Sequence, residues 1–131
     1  LYEIADLIGI PFVDEGRDPA TGLDCWGLFV LAQKCLGNIV PDFKVSCFNT
    51  EGITGFFEIA RESWTPVEVP VPGDAVLMTL DPFMPNMIQH FGVYLGRGRF
   101  LHTLQKTHSH LSRIDDRFYK NKIRGFYRWN P

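Results

Sequence analysis

The chain has 131 residues, 45% of them hydrophobic and 14% aromatic, the size of a single domain spanning 1–131 that buries roughly two-thirds of its unfolded surface. A formal net charge of −2 argues against a nucleic-acid or anionic-membrane partner held by bulk electrostatics. No apolar run reaches membrane-spanning length, and no cationic-then-apolar leader is present. Because the sequence begins at Leu1, the N-terminus is expected to be processed or trimmed, so the missing leader says little about compartment.

Leu1, Ile4, Ala5 and Ile8 predict a short amphipathic helix ending at Gly9, with Pro11 as a stop. Residues 11–24 carry Pro, Gly and Asp and read as a loop. Leu28, Leu31, Ala32, Cys35 and Leu36 then fall at helical spacing, with Asp24 placed as N-cap and Gly37-Asn38 as a stop. Residues 38–50 read as irregular. Ile53, Phe56, Phe57 and Ala60 predict a third helix, capped by Asn49 or Thr50 and ending before Pro66. Beyond Pro66 the prolines of Val67–Pro72 favour extended backbone, and Pro72-Gly73-Asp74 turns into a strand at Ala75–Thr79. Further strands are expected at 90–95, 99–104 and 123–129, with a polar connection through 105–121. Helices first and a strand meander second predict an α+β domain with N-terminal helices packed on an antiparallel β-sheet.

Cys25 falls in the first turn of its helix, within Gly22-Leu23-Asp24-Cys25-Trp26-Gly27. The positive end of the helix dipole favours thiolate there, and is expected to draw the pKa below the free value of about 8.5. His90 lies 65 residues further on, within His90-Phe91-Gly92-Val93-Tyr94-Leu95-Gly96, and His102 follows it by 12. Residues opposed across an antiparallel hairpin share a face, and the Gly-rich turn at Gly96-Arg97-Gly98 suits an odd-length loop. An odd loop puts His90 and His102 on one face; a two-residue loop separates them. Thiol, base and orienting group then form the layout of a cysteine peptidase. Taken singly, a helical Cys is usually a buried apolar residue and a strand His a hydrogen-bonded filler; it is their joint pattern that favours catalysis.

Cys35 and Cys47 match no metal or redox spacing and read as structural. His108 and His110 lack third and fourth ligands at sensible spacing, so they read as surface residues, and no metal or cofactor is expected. Asp115-Asp116 reads as a turn or cap. Gly96-Arg97-Gly98 is not a phosphate loop, since no helix follows it.

The Pro-Phe-Val of 11–13, the Asp-Cys-x-Gly motif, Pro72-Gly73-Asp74 and the His90 to His102 strand pair resemble, in this order, the NlpC/p60 family of papain-like cysteine peptidases over nearly the whole chain. The resemblance implies Cys25 as nucleophile, His90 as base and His102 as the third polar residue. It implies peptidoglycan stem peptides as substrate, cut between D-glutamate and a diamino acid. Phe12, Asp24 and Trp26 are the expected substrate-binding groups around the cysteine. Trp26 and Gly16-Arg17-Asp18 look closest to single-domain members of phage tails and prophages. That likeness implies other tail proteins as partners, and a virion or cell-envelope location. Two departures from the family pattern matter. Many members have a Tyr at Phe12 that helps hold the oxyanion, so the chain is expected to be either a slow enzyme or one with a replacement donor, Arg17 being the candidate in the 11–18 loop. Many also have a small residue at Trp26, so the indole is expected to narrow the cleft. The rival readings are a catalytically silent tail component and an amidase or acyltransferase using the same thiol.

Overall fold

The computed structural model describes residues 2–42, 61–84 and 87–130. Cys47 and the helix expected over Ile53–Ala60 lie outside them. Among the described residues one α-helix, α1 (Cys25–Cys35), packs on a six-stranded antiparallel sheet. The sheet is built from β3 (Trp64–Val67), β4 (Ala75–Met78), β5 (His90–Gly96), β6 (Arg99–His102), β7 (His110–Arg113) and β8 (Ile123–Trp129). Its spatial order is β3-β8-β4-β5-β6-β7. A small hairpin of β1 (Arg17–Asp18) and β2 (Gly22–Leu23) lies in the segment expected to be loop. The expected α+β class and antiparallel sheet are what the structure has.

Two sequence expectations change. The first helix is a single 3-10 turn, Ile4–Leu7, and its buried residue is Leu7, while Ile8 is exposed. The turn is closed by reciprocal capping between Glu3 and Asp6, and Gly9, at φ 87°, follows the C-cap Ile8. The polar connection through 105–121 contains β7, an edge strand whose alternating half-buried and exposed residues carry too little apolar character to announce it. Asp116 is a turn residue as expected, accepting from Phe118 N–H at 2.8 Å.

Helix α1 is apolar on almost every side because it is covered on almost every side. Trp26 stacks on Phe29, with ring centroids 4.9 Å apart, and meets Phe91 of β5 edge-on at 4.9 Å. Phe29 continues to Trp64 at 5.7 Å, and Trp64 to Trp129 at 5.0 Å. This aromatic run joins the helix to strands at the centre and edge of the sheet. Pro72-Gly73-Asp74 acts as a clamp between layers. Buried Gln33 of α1 donates to the Gly73 carbonyl at 2.7 Å, while the Asp74 carboxylate receives Arg128 of β8 at 2.8 and 2.9 Å.

The cysteine motif needs glycine at position 27 for a packing reason. A Cβ there would collide with the Gly16 carbonyl oxygen, which belongs to the loop laid across the start of the helix. Gly27→Ala is therefore expected to destabilise the protein by about 1–3 kcal/mol, as overpacking does in a filled interior. Urea unfolding of the purified variant measures this, and an unchanged midpoint would remove the packing argument.

Candidate active site

Asp24 sets the geometry of the helix start. Its Oδ1 accepts from Gly27 N–H at 2.8 Å and from Arg17 Nη1 at 2.7 Å, and its Oδ2 accepts from Glu15 N–H at 3.0 Å. The residue is 2% exposed. One carboxylate thus caps α1, ties down the 15–17 loop and presents Cys25 in the first turn. It is a scaffold group with its acceptors occupied, and it does not reach the cleft as a substrate contact.

Cys25 and His90 line one cleft of about 480 Å³, walled by Phe12, Leu80, Met84 and Leu104. Phe12 is carried there by backbone bonds of the N-terminal segment, its own N–H donating to the Thr107 carbonyl at 3.0 Å. Trp26 points the other way, into the core, so the indole does not narrow the cleft. Arg17 is committed to Asp24 and to Asp42, the latter at 2.8 and 3.1 Å. It does not line the cleft, so it does not stand in for a missing oxyanion donor.

The hairpin brings the two histidines together by an indirect route. Gly96 pairs with Arg99, closing a two-residue turn that on its own would place His90 and His102 on opposite faces. A bulge between Tyr94 and Gly96 shifts the register, so that Tyr94 pairs with Phe100 and Val93 with Leu101. Residues of equal parity then share a face. His90 Nε2 lies 2.8 Å from His102 Nδ1, on the diagonal.

Beyond His102 the chain of polar groups continues. His102 Nε2 lies 2.7 Å from Ser112 Oγ on β7. For His90 Nδ1 to accept a proton, its own proton must sit on Nε2, pointing at His102 Nδ1. His102 then carries its proton on Nε2, which donates to Ser112 Oγ. The rings of Phe100 and His110 lie tilted against His102 at 4.5 Å, with Tyr119 at 5.0 Å, leaving it fully buried. His110 is thus a neighbour of the imidazole pair rather than a free surface residue; exposed His108 receives the His110 Nδ1 bond at its carbonyl, 2.7 Å away. Ser112 and Tyr119 were not singled out from sequence. The signal for Ser112 was the alternation His110-Leu111-Ser112-Arg113, which puts His110 and Ser112 on one face.

Burial also reverses the expected electrostatics. Desolvation, and then the neighbouring Asp24 carboxylate, push the Cys25 thiol up to about 12 against the opposing pull of the Phe91 and Trp26 backbone bonds and of Arg17. Desolvation, then His110, brings His90 down to about 3. Desolvation, then His90 and His110, brings His102 to about 2. The closed site therefore rests as neutral thiol and neutral imidazoles. Among the described residues no group of three His, Cys, Asp or Glu is placed to hold a metal ion.

A family model described as the NlpC/P60 family matches residues 9–128, and the chain belongs to that family. The gamma-DL-glutamyl hydrolase of Bacillus subtilis (strain 168) is 27% identical over 136 residues, covering 99% of this chain and 29% of that protein. Among solved structures, NlpC2 from Trichomonas vaginalis aligns with a TM-score of 0.71 at 19% identity, over 96% of this chain and 44% of that one. A Staphylococcus aureus protein described as similar to lipoprotein, NLP/P60 family, aligns at 0.70 and 18% identity, over 98% and 39%. The NlpC/p60 domain of peptidoglycan hydrolase SagA aligns at 0.61 and 18% identity, over 95% and 92%. At these identities the structural likeness establishes the fold. The chain spans less than a third of the curated relative's length.

The lowered imidazoles and raised thiol predict a stability profile with two falling arms. Between His90's ordinary 6.5 and its folded value of about 3, the unfolded state binds more protons, so stability is full above that range and drops as pH falls through it. Above the ordinary thiol value of 9.0 the unfolded chain ionises first, so stability drops again as pH rises. Thermal unfolding followed across this pH span is expected to peak between the two arms. His102→Gln should flatten the acid arm and Cys25→Ala the alkaline one; unchanged slopes in both variants would show that these groups are not held neutral.

Proposed function

We propose that this chain is a cysteine peptidase acting on stem peptides of bacterial cell wall, with Cys25 as nucleophile, His90 as base and His102 as orienting residue. The observation that carries the reading is the buried imidazole pair at 2.8 Å, set in the same cleft as a cysteine at a capped helix start. The gamma-DL-glutamyl hydrolase name of one relative and the peptidoglycan hydrolase name of another support an amide next to a γ-linked glutamate as the bond cut.

In this mechanism His90 Nδ1 takes the Cys25 proton as sulfur attacks the amide carbonyl. Starting from a neutral pair, proton transfer and attack are coupled, so no free thiolate accumulates in the empty enzyme. Negative charge passes to the carbonyl oxygen, where the Cys25 backbone N–H at the start of α1 can meet it. Imidazolium His90 then protonates the leaving amine, and the C–N bond breaks to leave a thioester on Cys25. Water, deprotonated by His90, attacks the thioester carbonyl; the acid departs and the proton returns to sulfur. His102 keeps the His90 proton on Nε2 throughout, with Ser112 accepting from its far side.

A second reading, a catalytically silent component of a phage tail, draws on Phe12, whose ring lines the cleft with no hydroxyl to offer an oxyanion. Digestion of defined muropeptides with mass spectrometry of the products separates the two. Release of a fragment ending in γ-D-glutamate supports the peptidase. Transfer to an added amine points to an acyltransferase, and intact substrate with a folded protein to the silent reading. Cys25→Ala and His90→Ala should abolish turnover, whereas Cys35→Ala should keep it. His102→Ala should leave a residue of activity, and Ser112→Ala should slow turnover about fivefold, the equivalent of one ordinary hydrogen bond of about 1 kcal/mol. Full turnover in Cys25→Ala would end the proposal.

A further inference from the structure

The cleft that holds Cys25 and His90 also contains one hydroxyl that the fold leaves idle. Thr103 directly follows β6, is 1% exposed and lines the cleft. Its Oγ1 has no hydrogen-bond partner among the described residues. A buried hydroxyl left in this condition is destabilising, and a Val of nearly the same shape would avoid the desolvation cost. Buried polar groups of this kind call for a specific explanation, and a partner that arrives with a ligand is one.

The surroundings point the same way. Three other polar side chains of the cleft are engaged within the protein. Gln89 Oε1 accepts from the Leu80 and Asp81 amides at 2.7 Å each, and Asp81 Oδ1 accepts from Phe83 N–H at 2.9 Å. His90 spends Nε2 on His102, and Phe12 offers only a ring. A peptide entering this space loses water from its carbonyl oxygens, and each of these needs a donor in exchange. A threonine hydroxyl supplies one donor and can rotate toward the oxygen it serves.

We infer that Thr103 is a substrate-contacting residue, whose Oγ1–H donates a hydrogen bond to a carbonyl oxygen on the acyl side of the peptide held over Cys25. This deepens the peptidase reading and rests on it. No bond is made or broken at Thr103; the hydroxyl gains a carbonyl partner when substrate binds.

Two variants and two reagents test the contact. Thr103→Val deletes the hydroxyl, and Thr103→Ser keeps it. Labelling of Cys25 is followed by peptide mapping, using iodoacetamide as a reagent with no peptide and L-alanyl-γ-D-glutamyl chloromethyl ketone as one that fills the acyl side. Thr103→Val should melt at or above the wild-type temperature and react with iodoacetamide at the wild-type rate. Its labelling by the ketone, and its kcat/KM on the matching peptide, should fall about 10- to 100-fold, with Thr103→Ser restoring most of the loss. Equal ketone rates in wild type and Thr103→Val overturn the inference, as does a wild type that the ketone fails to label. A lowered melting temperature with equal slowing of both reagents also overturns it, by showing an internal partner for the hydroxyl. If wild type cleaves no peptide while Thr103→Val still selectively slows the ketone, the peptidase reading fails and the contact stands.

Discussion

The buried Asp24 carboxylate holds three parts of the molecule in register. It caps α1 through Gly27, anchors the 15–17 loop through Glu15 and Arg17, and sits beside the sulfur of Cys25 in the next residue. The loop it gathers lies so close to the helix that position 27 has no room for a side chain. The Asp-Cys-x-Gly pattern is therefore one packing unit. Asp24 makes the helix begin at the right residue, Gly27 lets the loop close over it, and Cys25 is delivered to the cleft as a result. The same carboxylate raises the thiol by its charge, although burial is the larger cause.

Burial fixes how His102 is bonded. His102 is enclosed by Phe100, His110 and Tyr119, so its two nitrogens can bond only to the partners the fold supplies, His90 and Ser112. A neutral imidazole polarises its neighbour less strongly than a carboxylate does, but it can be buried without an unpaired charge. What it contributes is orientation. With one acceptor on each side, the proton positions along His90, His102 and Ser112 are determined together. In the proposed mechanism the proton moves only once a substrate carbonyl is present to receive the negative charge.

Much of this was legible in the residues. Helical spacing after Cys25, the N-cap at Asp24, strands at Ala75, at His90 and near Ile123, and the shared face of the two histidines all follow from local pattern, and the structure has them. The parity argument reached the right face although the turn itself has two residues, because a bulge in β5 restores the register. Local sequence does not encode such a compensation; it follows from the pairing of β5 with β6 deep in the sheet. Edge strand β7 was not legible, since its exposed positions look like loop, and Ser112 and the ring of His110 were missed with it.

Sequence by itself determined the class of fold and the family, and brought Cys25, His90 and His102 forward as candidates, because each rests on short-range spacing: a cap and its helix, a turn and its hairpin. Tertiary structure alone decided what those residues experience. Trp26, next to Cys25 in the helix, faces the core because a helix turns successive residues by about 100°, and Asp24, the extended N-cap, turns its carboxylate to the loop. The thiol expected to be acidified by its helix is instead held protonated. The dipole at a helix start is a local property, whereas desolvation depends on every layer folded over it. Thr103, unremarkable in the sequence, becomes a buried residue of the cleft that also holds Cys25 only when α1 is laid against the sheet.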